Sequence, residues 1–239
     1  MVTKVVSKYK YMNKLLNKIK NVFYIIKDKI SEQLNLFSLS VENKNPKKLA
    51  EKLVKMVCYS AFGFFKDEKV REMLNFSSLE QVEQDRIFNE LELSGLCLIM
   101  FLAEDRAELI EKDKELWIKT KEEIPKSFIR WLSDLGIEKH YLDLWEELIE
   151  MRYKEYKKDQ PKIKSIIMQE LEESNIDHSL LDVYALIQSV CIGSLFHIRR
   201  GKTSMKDPLY KYLRSWLVAL FNKAESKMIP RPWWKRIFK

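Results

Sequence analysis

Glycine and proline are scarce in this chain, at five and six of 239 residues. Sheet-rich folds use these residues in their many tight turns and low-complexity chains are built from them, so both are disfavoured and long helices are expected. The glycines Gly63, Gly95, Gly136, Gly193 and Gly201 each stand alone. That excludes a Walker A loop and a dinucleotide fingerprint, which need clustered glycines to bring backbone amides onto phosphate. Neither Gly-x-Ser-x-Gly nor His-Glu-x-x-His occurs, which removes the serine-hydrolase elbow and the zincin helix. The Glu-x-x-His pairs of di-metal bundles are missing too, so neither metal nor cofactor is expected.

Cysteine is equally sparse. Cys58, Cys97 and Cys191 are far apart in apolar surroundings, which suits reduced thiols and a cytoplasmic setting better than a disulfide framework or a zinc knuckle. The first thirty residues are basic, but lysines interrupt each apolar run, so no signal-peptide core is expected. The apolar run Leu93–Ala103 is eleven residues long, about half of the ~20 that cross a bilayer as a helix. It reads as a buried core helix.

Hydrophobic residues, at 46%, supply a core. The net charge of +8 is unevenly spread. Residues 1–30 hold eight lysines and Asp28, giving +7, and residues 199–239 hold twelve cations against Asp207 and Glu225, giving +10. Residues 31–198 therefore carry −9.

Apolar residues spaced three and four apart, from Val2 through Leu16 to Ile30, predict a wide amphipathic helix over 1–37, with Lys4, Lys8, Lys14 and Lys18 on its polar side. A polar linker is expected over 38–47, ending in the start signal Asn45-Pro46, then a helical bundle over 48–228 and a basic aromatic tail over 229–239. The second helix carries Leu49, Leu53, Met56, Val57, Ser60 and Phe64 inward, with a possible bend at Gly63, and should end near Asn75. Ser78 and Gln81 resemble a capping box opening a helix that reaches Trp117. Pro125 is expected to break the chain, Gly136 to cap a short helix in the left-handed conformation, and Asp159-Gln160-Pro161 to divide two helices. Asp177 should cap the next, which ends at Arg199-Arg200-Gly201, and Asp207-Pro208 should open the last. The fold class is therefore all-α, a bundle of about eight helices with no β-sheet.

Candidate chemistry is thin. Glu90 and Glu92 enter the apolar run, where burial can raise a carboxyl pKa and make an acid or base. The plainer reading leaves them at the polar edge of the helix or pairs them with a neighbour's Lys or Arg. Arg152, on an apolar face, is suited to holding a buried carboxylate. His140 with Asp143, and His178 with Asp182, each give two ligands where structural metal sites want four. His197, Arg199, Arg200 and Lys202 offer the cations of an anion site, but they sit at a helix end whose carbonyls repel anions, so complementing the helix dipole is the expectation.

The tail combines Arg231, Trp233, Trp234, Lys235, Arg236 and Phe238 with two prolines. Tryptophans among cations suit a membrane interface, and the lysine helix suits the same surface. Nucleic acid is the alternative partner, with phosphate neutralised and bases stacked. Residues 1–30 contain no arginine, which points to diffuse attraction over base readout. The plainer reading is internal, with the first helix packing its stripe on the bundle and the tryptophans covering a core edge; an acidic protein partner, or self-association through the acidic middle, would use the same ends. The expectation is a non-enzymatic helical interaction protein, peripheral at an anionic membrane, with a nucleic-acid-associated protein and a carboxylate/His bundle enzyme as rivals.

Overall fold

The computed structural model describes residues 45–171, 181–202 and 206–228. The expected helix over 1–37, most of the linker, the Asp177 cap and the tail lie outside the described residues. Within them the chain forms seven α-helices and two 3-10 turns, with no strand. The fold is an all-α bundle.

Helix starts follow their local chemistry where a cap is available. In α1 (Pro46–Lys66) the Asn45 side chain accepts the Lys48 N–H at 3.2 Å and proline takes the first position. The helix runs unbroken through Gly63 and stops at Asp67, whose extended backbone ends α1 while its carboxylate accepts the Val70 N–H at 3.1 Å to open α2 (Glu68–Met73). The expected single helix to Asn75 is thus two. The capping box does not form. Ser78 Oγ donates back to the Asn75 carbonyl at 2.8 Å, and Gln81 is the first residue of α3 (Gln81–Leu109), not its third.

The helix α3 ends at Leu109 ahead of a 3-10 turn, so Trp117 belongs to α4 (Lys114–Asp134). Pro125 lies inside α4 and breaks nothing. An interior proline removes one backbone bond and costs ~3 kcal/mol, but Thr120, Ile124 and Phe128 are all fully buried around it, and that packing holds the helix on both sides. Pro161 behaves alike: α5 (Lys139–Leu171) is continuous where two helices were expected, anchored by Tyr156 before the proline and Ile167 after it. Between α4 and α5, Gly136 takes φ +87°, its N–H bonding to Ser133 and that of Ile137 to Leu132, the paired return bonds of a left-handed cap.

The sixth helix, α6 (Leu181–Ile198), ends as expected, with Gly201 at φ +79° and its N–H on Phe196. Asp207 Oδ1 accepts the Leu209 N–H at 2.9 Å to open α7 (Pro208–Met228).

One helix organises the rest. Every residue of α3 from Glu90 through Ala103 is buried, and α3 packs against α1, α4, α5, α6 and α7. A helix that is apolar all round belongs in the interior. The run Val183–Ile198 of α6 is uncharged over a longer stretch than Leu93–Ala103. By length and composition α6 is apolar enough to cross a membrane; 67% of it is buried inside the bundle. Small residues let it approach. A Cβ on Gly193 would stand 2.3 Å from the Tyr156 ring of α5, and one on Gly95 of α3 would stand 2.5 Å from Val57 of α1. Ser94 and Ser194 join their hydroxyls between α3 and α6.

Candidate functional site

Glu90 and Glu92 are two residues apart on α3, which turns the chain by about 200° between them. They meet different neighbours. Glu90 faces α5, where Arg152 donates from Nε at 3.1 Å and from Nη2 at 2.7 Å, one bond to each carboxylate oxygen. Both side chains are nearly buried, at 12% and 9% exposed, and a two-pronged charge-assisted pair of this kind offsets their desolvation. Burial opposes the arginine's charge, yet the bond to Glu90 keeps its pKa raised. The neighbour pairing expected for Glu90 is what forms.

Glu92 faces α1 and has no cation. It is 2% exposed, its Oε1 has no hydrogen-bond partner, and the Cys58 thiol is its polar neighbour. Burial pushes its carboxyl up to about 8. Burial and the adjacent Glu92 push the Cys58 thiol up in turn, so the thiolate, the reactive form, is disfavoured.

The rival enzyme reading would build its site from Glu90, Glu92, His140 and Asp143, and these are not brought together. His140 and Asp143 lie on the exposed first turns of α5, where His140 Nδ1 is 3.4 Å from Glu138 and its ring rests on Tyr141. Asp182 pairs with Lys164, and His178 lies outside the described residues. Among the described residues no group of three or more His, Cys, Asp or Glu is placed to hold a metal.

The C-terminal end of α6 borders an open cleft of about 420 Å³ lined by Arg86, Glu90, Arg152, Phe196, His197, Arg200 and Gly201. Its cations are already engaged. Arg86 donates to the carbonyls of His197 at 2.7 Å and Ile198 at 2.9 Å, closing the last turn of α6, and to both oxygens of Glu83 at 2.9 and 2.6 Å. Arg200 shares Glu83 at 3.3 and 2.5 Å. The bonds from Arg86 and Arg200 hold the Glu83 carboxyl down at about 2. Glu155 meets Arg152 at 3.5 Å and His197 Nε2 at 2.8 Å. Arg199 bonds Asp207 at 2.7 and 3.0 Å and the Met73 carbonyl at 3.1 Å. Guanidinium donors spent on carbonyls and carboxylates tie the end of α6 to α3 and to the loop before α7, and the His197 imidazole ties it to α5, as cations at a helix C-terminus do. Arg86, the hub, went unnoticed in the sequence; its signal is the Glu83–Arg86 spacing of three on one helical face.

A second feature passed over by the sequence reading lies on α1. Opposite its apolar stripe, the exposed side carries Lys48, Lys52, Lys55, Tyr59, Phe62 and Lys66. The residues expected to meet an anionic partner, Lys4, Lys8, Lys14, Lys18, Arg231, Trp233, Trp234, Lys235, Arg236 and Phe238, lie outside the described residues. No protein-family model, no curated protein and no solved structure matches this chain.

Proposed function

We propose that the chain is a non-enzymatic helical interaction protein that docks peripherally on an anionic membrane surface through its lysine-rich first segment and its tryptophan-rich basic tail. The segregation of charge carries this reading: +7 over residues 1–30, −9 over 31–198 and +10 over 199–239. Inside the bundle the ionised groups are committed to one another, Glu90 to Arg152, Glu83 to Arg86 and Arg200, and Arg106 to Glu225. The two terminal segments, 1–30 and 229–239, carry +7 and +4. Juxtamembrane cations contribute about 1 kcal/mol each at an anionic leaflet, and two tethered anchors reinforce each other. Tryptophans such as Trp233 and Trp234 favour headgroup depth. Lysine outnumbers arginine 33 to 10, which favours diffuse attraction to a charged surface over base-specific contacts.

The test is co-sedimentation of the full chain, and of chains lacking 1–30 or 229–239, with vesicles of phosphatidylcholine alone or mixed with phosphatidylserine. Binding is expected to the anionic vesicles only, weakening with salt and with each deletion. A full chain that ignores phosphatidylserine, or prefers a single-stranded oligonucleotide, overturns the reading.

A further inference from the structure

The helix α1 has two stripes of the same period. One is the buried side, with Ala50, Leu53, Val57 and Ala61 fully enclosed. On the other, Lys48, Lys52, Lys55, Tyr59, Phe62 and Lys66 follow one another at alternating steps of four and three, and all six are exposed. At 3.6 residues per turn they fall within an arc of roughly 80° and a length of about 27 Å. The arc contains no acid. Glu51 lies at its edge, half-buried, 4.0 Å from Arg130 of α4. Tyr59 is 74% exposed and Phe62 51%, so two large aromatic rings stand in solvent at the centre of a lysine row. Phe62 is braced there by the edge of Phe88, centroids 6.3 Å apart, and by Lys66 over its face at 5.1 Å.

We infer that this face of α1 is the side on which the bundle itself lies against an anionic bilayer, with Tyr59 and Phe62 at headgroup depth and Lys48, Lys52, Lys55 and Lys66 on the lipid charges. The inference rests on the membrane reading above and adds the folded body to it. Two observations select a bilayer as the occupant. The first is charge: the body over residues 45–228 sums to −2, with acids spread over much of it, and an acid-free lysine arc is a side from which it can approach an anionic surface. The second is shape: a row along one unbroken helix runs lengthwise and can lie along a plane, and an interfacial aromatic pair set among lysines is the composition such planes retain.

The experiment uses the full chain in vesicle co-sedimentation at near-physiological salt, with phosphatidylcholine alone or mixed with phosphatidylserine. The variants are K52E/K55E and Y59S/F62S, with K154E/K158E as a control of equal charge change on the exposed side of α5; thermal melts establish that each is folded. Loss of about ten-fold or more in affinity is expected for K52E/K55E and a smaller loss for Y59S/F62S, with the control within about three-fold of the parent. An environment-sensitive dye on Y59C, practicable because Cys58, Cys97 and Cys191 are buried, should shift to the blue with the anionic vesicles alone. If the full chain binds and the α1 variants bind as the control does, or the dye does not move, this inference fails and the proposed function stands. If the full chain does not bind, both fail. Loss of oligonucleotide binding in the α1 variants without loss of vesicle binding also overturns the inference.

Discussion

Replacing Glu92 with glutamine nearly preserves the shape of a side chain that is 2% exposed while removing its titration. In the folded chain burial pushes this carboxyl from 4.5 to about 8, whereas in the unfolded chain it titrates near its ordinary value. Between those two values the folded state keeps a proton that the unfolded state has lost. Stability from this group is therefore fully present at pH values below the unfolded pKa, falls as pH rises through the window, and levels off above the folded pKa. The slope is about 1.4 kcal/mol per pH unit, so moving from about pH 5.5 to about pH 7.5 costs about 3 kcal/mol. For a body of this size that corresponds to roughly 5–10 °C in Tm.

The glutamine brings two amide hydrogens into a site where Glu92 Oε1 already lacks a partner, an offset of about 1–3 kcal/mol that does not vary with pH. The quantity to measure is therefore the difference in slope between parent and E92Q, by urea unfolding across that pH range, with E92L as a second neutral variant. Glu83 and Glu104 do not interfere. Burial raises Glu104, but hydrogen bonds from Lys157, Tyr153 and Lys121 outweigh it and hold it at about 2, as those from Arg86 and Arg200 hold Glu83. Their contributions are lost only as pH falls from the ordinary carboxylate range toward that value, below the window in question. The parent should lose stability through the window while both variants stay flatter. Parallel slopes would refute the reasoning and show that Glu92 is ionised or hydrated in the folded state.

Arg106 and Glu225 form a buried pair between α3 and α7, their side chains 3% and 4% exposed; R106M alone should cost about 3–5 kcal/mol in urea unfolding, while R106M/E225L should be near neutral or stabilising. Because a Cβ on Gly193 would fall 2.3 Å from the rigid Tyr156 ring, G193A should lower stability by about 1–3 kcal/mol. G63A is the contrasting case, since nothing lies within 4 Å of that position in α1, and it should raise stability by roughly 0.5–1 kcal/mol. Both glycine variants are read out as Tm shifts of opposite sign.

What the sequence made legible was local chemistry. Asn45-Pro46, Asp207-Pro208, Gly136 and Gly201 each act through bonds to residues a few positions away, and each does what its type predicts. Pro125 and Pro161 misled because their local cost is real but is outweighed by side chains packing from other helices, which no window around the proline displays. The carboxylates show the same division. Their entry into an apolar run marks Glu90 and Glu92 as unusual, but a spacing of two on a helix sends them to opposite sides, and only the packing of α5 and α1 determines that one meets Arg152 and the other Cys58. The lysine and aromatic side of α1 was missed for a different reason. Reading a helix for its core keeps the apolar positions and discards their complement, yet the complement has the same period and is the part a partner touches. Residues 46–66 hold five lysines and a single acid, Glu51; that four of those lysines share one exposed arc with two aromatics is what makes this side of the helix informative about what lies opposite it.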